Sequence, residues 1–422
     1  MLYDELFAEI SKLPVYDSHE HLCTQDEVMK SPTDIFDLMW SYVCDDVLSA
    51  GISKTEWLYI KDKNNRFDDR WERFEKIMPH ISNGAYFGVV RQTLKSLGIE
   101  YVDYEGALRF SEIINSRKTK TYYNDTFREM GIVRVNNLSE DYRIPSGFDS
   151  DIFEIIPTVS EITNALAVDC RTLSDYCGVN ITALNDVTDA IDALFKIYNA
   201  AEVKLIKIGS GYFRELDFDT PDEKGASRQF EAMKSEKALV GDKRKLYGAR
   251  RWAVDLKLLD DYVIWHVLEN AHKHNMAVHI HTGMHAWNYN NPSRAHCGGL
   301  LKIINTFKDI KIVLLHCGFP HVEDALLLAK YYPNTFLNFT WVNVIDRFES
   351  PRLLNRALEM VPVNKICIFG GDYMHIENIR GALEGVRKML ADVFALRIEK
   401  GIVNENEAID LSRKLLLDNA YY

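Results

Sequence analysis

The feature that most constrains the fold of this 422-residue chain is a repeated alternation of strand-like and helix-like segments. Eight segments are short, apolar and rich in β-branched residues, as buried strands are. They cover residues 14–22, 131–139, 152–160, 203–211, 276–283, 310–318, 335–341 and 365–373. Between them run segments such as DVTDAIDALFKIYNAA, whose apolar residues recur at the spacing of one helix face. The alternation predicts an α/β fold, a (β/α)8 TIM barrel with a parallel sheet inside a ring of helices.

Two connections are too long for a simple barrel. The first, residues 24–130, carries several helical patterns and predicts a helical insertion over the mouth of the first strand. We therefore expect a distorted barrel made of residues 1–23 and 131–422. The second connection, residues 212–260, contains the densest basic cluster, GDKRKLYGARRW at 241–252. Insertions of this kind commonly shape access to a site.

Composition limits the classes of function. The chain has 62 acidic and 50 basic residues and no long run of Lys or Arg, so we do not expect nucleic-acid binding. The start MLYDELFAEISKLP lacks the regions of a signal peptide, and no window approaches about 18 uncharged apolar residues. We therefore expect a cytoplasmic protein without a membrane partner. Seven cysteines without a Cys-x-x-Cys pair are expected to be reduced. Large barrels often associate, so a homo-oligomer is compatible with the sequence.

Histidine and aspartate residues recur near the C-terminal ends of predicted strands, where such barrels carry their sites. They are His19 and His21 at the end of the first strand, His279 and His281 in the fifth, His316 in the sixth and Asp372 in the eighth. Any one of these histidines could be a hydrogen-bonded core residue, and a His-x-His pair also occurs in surface turns. Their recurrence at one end of the barrel favours a divalent metal site, because hydrolytic metal sites are built from converging His and Asp side chains.

The same strand ends resemble those of a known family. The stretches DSHEH, HTG, LLHCGFPHVEDALLLAKYYPNTFLNFTW and FGGD are similar, in order, to the metal-binding and catalytic strand ends of the amidohydrolase superfamily, in its amidohydrolase-related branch of metal-dependent hydrolases. The resemblance implies that His19, His21, His281 and Asp372 are metal ligands. It also implies catalytic roles for Asp372, which would carry a proton, and for His316, which would polarise a carbonyl group or stabilise developing charge.

Four further residues are candidates for contact with the substrate: Lys207, Arg214, His285 and Trp341. The stretch KLIKIGSGYFRELDF resembles a family pattern in which a lysine faces the site and an arginine follows it. Arg214 would suit a substrate carboxylate through paired hydrogen bonds. Some relatives carry a carboxylated lysine here that bridges two metals, but we expect an unmodified Lys207 and one ion, with two ions as the alternative. Structural roles remain alternatives for all four residues.

These features predict a metal-dependent hydrolase, with zinc as the expected metal. It would use a metal-activated water to cleave an amide, ester or lactone bond in a small, carboxylated substrate. The alternative is an isomerase like uronate isomerase, a relative with the same histidine pair, strand-eight aspartate and helical insertion. A metal-dependent decarboxylase is a further alternative, and a metal-binding scaffold without catalysis is another.

Overall fold

The computed structural model describes residues 2–40, 42–235, 239–240, 251–252 and 255–421. Its main sheet consists of short parallel strands at the eight predicted positions. They are β1 Val15–Glu20, β2 Ile132–Leu138, β3 Phe153–Ile156, β4 Leu205–Ile208, β5 Ala277–His281, β6 Ile312–Leu315, β7 Thr335–Asn338 and β8 Ile366–Cys367. The strands pair in sequence order within two runs. The first run is β1, β2 and β3, and the second is β4, β5, β6, β7 and β8.

Backbone contacts at two seams join these runs into a barrel. Between β3 and β4, Thr158 forms a parallel bridge with Lys207. Between β1 and the segment after β8, the amide of Ser18 donates to the carbonyl oxygen of Phe369 at 3.1 Å. The predicted TIM barrel is therefore confirmed, and its first and last strands are neighbours.

Helices surround the barrel and form the insertion. Before β2 they are α1 Leu2–Ile10, α2 Gln25–Val28, α3 Ile35–Leu38, α4 Val43–Ser49, α5 Lys54–Lys61, α6 Phe67–Glu75, α7 Met78–Ile81, α8 Ala85–Ser96, α9 Tyr104–Arg117 and α10 Tyr122–Met130. After β3 they are α11 Glu161–Val168, α12 Cys170–Cys177, α13 Leu184–Ala200, α14 Glu223–Ser235, α15 Lys257–Lys273, α16 Leu301–Thr306, α17 Val322–Tyr331, α18 Val342–Ile345, α19 Glu349–Met360, α20 Ile376–Glu399 and α21 Glu405–Leu416. One connection departs from the predicted alternation, because residues 139–152 between β2 and β3, all of them described, contain no helix.

Several strands, among them β6, β7 and β8, end at least three residues before their sequence patterns predict. His316, Trp341 and Asp372 follow β6, β7 and β8, and their φ angles are 64°, 67° and 62°. This left-handed backbone is rare for residues other than glycine and ends an extended strand. Such conformations cost about 1–3 kcal/mol each and cluster at functional sites, where the surrounding structure holds them.

The insertion packs directly on the barrel. Helix α8 crosses α20 so closely that a Cβ on Gly381 would lie 2.4 Å from the carbonyl oxygen of Val89, so this approach requires glycine. The hydroxyl of Thr93 donates to the carbonyl oxygen of Glu377 at 3.2 Å. The insertion and the barrel share one continuous hydrophobic cluster. Because of this shared core, the division of the chain into a barrel unit and an insertion unit stays a prediction.

The second long connection is only partly described. It contains α14 and a two-residue strand, Leu239–Val240, that pairs antiparallel with Arg251–Trp252. The predicted basic cluster at 241–252 otherwise lies outside the described residues. Among the described helices, none combines the length and the apolar character needed to cross a membrane.

Candidate metal and catalytic site

Three side chains from opposite ends of the chain converge at the C-terminal mouth of the barrel. Oδ1 of Asp372 lies 3.0 Å from Nε2 of His21 and 3.6 Å from Nε2 of His19. One potential ligand atom from each residue lies within 4.8 Å of the other two. The seam between β1 and β8 causes this convergence, because the amide of Asp372 donates to the carbonyl oxygen of His19 at 3.0 Å. Three of the four predicted metal ligands thus lie together.

The charge states of this cluster suit a cation. Burial, helped by the nearby charge of Lys207, lowers the pKa of His19 well below its ordinary value, so its imidazole is neutral. Burial is the largest single effect on Asp372 and opposes its ionisation, but the hydrogen bond to His21 and the nearby positive charges together outweigh burial and lower its pKa. Although burial also favours a neutral His21, its hydrogen bonds to Asp372 and Glu140 raise its pKa to about 10. The site therefore stabilises positive charge, which a divalent ion can supply in place of a proton.

A second pair of histidines continues the cluster. Nε2 of His316 lies 3.1 Å from Nδ1 of His281. The other nitrogen of each ring lies 2.9 Å from a carbonyl oxygen, that of Thr340 for His316 and that of Met284 for His281. A carbonyl oxygen only accepts, so those nitrogens carry the protons and the two facing nitrogens present lone pairs.

Two facing lone pairs repel each other unless a proton or a cation takes one of them. Burial lowers the pKa of His316 to about 4 and that of His281 well below its ordinary value, so protonation is disfavoured at neutral pH. Among the described residues, none forms a hydrogen bond with Nδ1 of His19, which is also buried. These unprotonated imidazole nitrogens, together with the neighbouring carboxylate, fit a divalent metal ion, because zinc accepts neutral imidazole and carboxylate as ligands.

Lys207 lies on β4 and is 4% exposed. Burial lowers its pKa to about 7, although the charge of Asp372 opposes this effect. The charge of Lys207 in turn disfavours protonation of His281 and His316. An amine with this pKa changes its charge near neutral pH and is therefore suited to proton transfer or to binding an anion.

Arg214 does not join the cluster. Its guanidinium donates to Asp260 at 3.0 Å, to Asp261 at 2.7 Å and to Asp217 at 3.2 Å. Its Nε donates to the carbonyl oxygen of Glu215 at 2.9 Å. These internal contacts occupy the group that was expected to meet a substrate carboxylate. The physical reason is that two aspartates at the start of α15 face this loop and need a buried cation.

His285 and Trp341 lie beside the histidine pair. The ring of His285 is nearly parallel to that of His281, with centroids 5.3 Å apart. Burial lowers the pKa of His285 to about 4. The ring of Trp341 meets that of His316 edge to face at 5.2 Å. Both candidates thus border the space next to the proposed ligands.

The sequence analysis missed two tyrosines that the insertion contributes. The ring of Tyr42 stacks on Trp341 at 4.7 Å, and its hydroxyl donates to the carbonyl oxygen of Asp372. Tyr86 lies parallel to Trp341 at 6.5 Å. Within the described part of the chain, neither the Tyr86 hydroxyl nor the Trp341 indole N–H has a hydrogen-bond partner. No strand-end pattern marks these tyrosines, and the only available signal was the predicted position of the insertion over the mouth.

Comparisons with known proteins agree with the fold. The family model described as Amidohydrolase matches residues 181–420, which is more than half of the chain. Protein FluG from Emericella nidulans is 24% identical over 173 residues, which are 40% of this chain and 20% of that protein. The chain therefore matches about a fifth of the length of this curated relative.

Solved structures superpose over nearly the whole chain, including the insertion. Uronate isomerase from Thermotoga maritima has a TM-score of 0.79 at 16% identity, covering 99% of this chain and 96% of that chain. Glucuronate isomerase from Caulobacter crescentus has a TM-score of 0.74 at 14% identity, covering 99% and 92%. A protein provisionally described as a metal-dependent hydrolase from Lactobacillus casei has a TM-score of 0.66 at 17% identity, covering 98% and 96%. At these identities the likeness shows a common fold. Because the family match spans more than half of the sequence, this protein belongs to the amidohydrolase family, whose members are metal-dependent enzymes.

Proposed function

We propose that this protein is a metal-dependent hydrolase that cleaves an amide, ester or lactone bond in a small, carboxylated substrate. The observation that carries the proposal is the position of the Asp372 carboxylate. Its oxygens lie 3.0 Å from His21, 3.6 Å from His19 and 3.8 Å from His316. One carboxylate thus adjoins both the proposed ligands and the histidine proposed to act in catalysis.

His19, His21 and Asp372 would hold one divalent ion, and His281 is the fourth predicted ligand. When bound, such an ion lowers the pKa of a coordinated water from its much higher value in bulk solvent to about 7 and can polarise a carbonyl group. Histidine and carboxylate ligands accept zinc and its neighbours in the periodic table, and we propose zinc.

Asp372 would carry the proton. Oδ1 faces His21, whereas Oδ2 faces Nε2 of His316 at 3.8 Å. Oδ2 would accept a proton from the attacking water and deliver it to the leaving group. Nε2 of His316 presents a lone pair, because Nδ1 donates to Thr340. In this tautomer His316 would orient the water by accepting one of its hydrogen bonds, rather than polarise a carbonyl as the sequence led us to expect.

Three groups beside these residues support an anionic substrate. The Lys207 amine is buried and gains a partner if a carboxylate binds, since a buried cation is costly without one. The indole N–H of Trp341 and the hydroxyl of Tyr86 are buried donors without a described partner. An acceptor-rich substrate would satisfy them. These residues take the role in carboxylate recognition that the sequence analysis gave to Arg214.

The test combines metal analysis with turnover of a panel of N-acyl amino acids and sugar-acid lactones. We expect about one equivalent of zinc per chain and loss of turnover after chelation. Assayed with zinc in excess, so that the two histidine ligands still hold the ion, Asp372→Asn should lose at least about 100-fold in kcat, because an amide cannot accept the proton. The control is Asp410→Asn, an exposed residue paired with Lys414 on α21. Turnover that survives in Asp372→Asn would refute the proposed role.

The second candidate is an isomerase of open-chain uronates. It is favoured by the likeness to the uronate isomerase from Thermotoga maritima, which extends over 99% of this chain. In that reaction Asp372 or Lys207 would move a proton between neighbouring carbons, and no water is consumed. Two separate isotope experiments distinguish the reactions. In ¹⁸O-labelled water, hydrolysis of an amide, ester or lactone places label in the product carboxylate, whereas an isomerase product gains label only in its carbonyl group, by hydration. In deuterated water, an isomerase exchanges the C2 hydrogen with solvent, whereas hydrolysis does not.

A further inference from the structure

We propose that Glu20 is a positioning residue that fixes the peptide carrying Asp372 and thereby sets the metal affinity of the site. The inference rests on the proposed function, because it concerns the same metal centre. Glu20 is the last residue of β1 and stands between His19 and His21 in the sequence.

The carboxyl group of Glu20 spans Asp372. Its Oε1 accepts from the amide of Gly371 and its Oε2 from the amide of Tyr373, both at 2.8 Å. These two amides belong to the residues on either side of Asp372. The Glu20 side chain is completely buried. One side chain therefore holds the backbone both before and after the proposed ligand.

Asp372 needs such support because its own backbone is left-handed, with a φ of 62°. A conformation of this kind persists only where the surroundings determine it. The close approach also depends on the glycine before Asp372. A Cβ on Gly371 would lie 2.2 Å from Oε1 of Glu20, so a larger residue would push the carboxyl group away.

A purely structural role explains this arrangement poorly. Glu20 lies beside a second fully buried carboxyl group, that of Asp17; burial and the charge of Asp17 both raise the pKa of Glu20, so the two groups interact. Burying two acidic groups in contact is unfavourable for stability, and apolar residues of similar volume would pack the same space without that cost. What an apolar side chain cannot do is accept the two amide hydrogens that flank Asp372.

The experiment measures zinc affinity by competition with a chromophoric chelator. Glu20→Gln keeps the volume of the side chain, but its amide nitrogen must face one of the two backbone donors, so one hydrogen bond is lost. Partners that orient metal ligands typically contribute about 10- to 100-fold in affinity, and we expect the Kd for zinc to rise by that factor. Hydrogen–deuterium exchange in the segment containing Gly371 and Tyr373 should also become faster.

Glu377→Gln is the matched control. Glu377 is buried at the start of α20, and its carboxyl group accepts the hydroxyl of Tyr122 at 2.5 Å, away from the ligands. This variant should leave the Kd for zinc within about twofold of wild type, because it makes the same Glu-to-Gln change in another buried, hydrogen-bonded carboxyl group that is not a partner of Asp372. A lower Tm in both variants with an unchanged Kd in Glu20→Gln would mean a structural role and would overturn the inference.

If Glu20→Gln does not fold, Gly371→Ala tests the same contact from the other side, since its Cβ would displace the carboxyl group. A weaker Kd in that variant supports the inference, and an unchanged Kd overturns it. Wild type that binds no zinc, cobalt or manganese overturns the proposed function together with this inference. Wild type that binds zinc, with unchanged affinity in Glu20→Gln, overturns the positioning role alone.

Discussion

Replacing Lys207 by Met should change how the stability of the metal-free protein depends on pH. Burial lowers the pKa of Lys207 from 10.5 to about 7 in the folded protein. The unfolded chain restores the ordinary value, so between these two values the unfolded chain holds a proton that the folded chain has released. The free energy of unfolding of wild type therefore contains a component that rises with pH through this window. Lys207→Met lacks that component.

The magnitude follows from the two pKa values. Each tenfold change in proton affinity corresponds to about 1.4 kcal/mol, so the full component is about 5 kcal/mol. About 2 kcal/mol of it falls between roughly pH 7 and pH 9, which is an accessible range. Below about pH 7 the amine is protonated in both states, so the penalty of burying its charge is then at its largest.

The assay is urea denaturation of chelator-treated protein, followed by circular dichroism at several pH values. Lys196→Met is the control, since Lys196 is exposed on α13 and carries the same formal charge. Between about pH 7 and pH 9, wild type should gain about 2 kcal/mol over Lys207→Met and no comparable amount over Lys196→Met. If the difference between wild type and Lys207→Met does not change with pH, burial does not control the charge of this amine and the reasoning fails.

Further predictions concern the loop after β5 and the ion pairs of Arg214. Gly283→Ala should lower the free energy of unfolding by at least about 2 kcal/mol, because φ is +80° and a Cβ would lie 2.1 Å from the carbonyl oxygen of Phe319. Gly98→Ala is the comparison, because Gly98 has a φ of +75° but no described atom lies within 4 Å of the added Cβ; it should lower the free energy of unfolding by only about 1 kcal/mol. Equal losses in the two variants, measured by urea titration, would contradict this prediction. Arg214→Met should destabilise the fold by about 3–5 kcal/mol, because Asp260 loses its buried cation, yet it should leave zinc affinity unchanged. A variant as stable as wild type, or one with altered zinc binding, would contradict that placement of the guanidinium.

The barrel and the histidine cluster could be predicted because each part has a local signal. His19, His281 and His316 each follow a short apolar run, and the topology of a parallel barrel brings the ends of such runs to one mouth. The left-handed backbone at His316 and Asp372 could not be predicted, because an apolar pattern does not reveal where extended structure stops.

Long-range packing explains the other differences between sequence and structure. Two partners of Arg214, Asp260 and Asp261, lie on α15, and nothing in the sequence around Arg214 indicates that they face it. Tyr42 reaches Trp341 only because the insertion folds over the mouth. Neither contact follows from periodicity or spacing, since both depend on how distant elements are oriented.

The seam between β1 and β8 also has a consequence for synthesis of the chain. His19 leaves the ribosome early, whereas Asp372 and the two amides held by Glu20 are made about 350 residues later. A polypeptide that stops before β8 lacks Asp372 and therefore cannot form the proposed metal site. Metal bound across this seam would stabilise the closed barrel, since binding favours the state that contains the site. Closure of the barrel and completion of the active site would then be a single late event in folding.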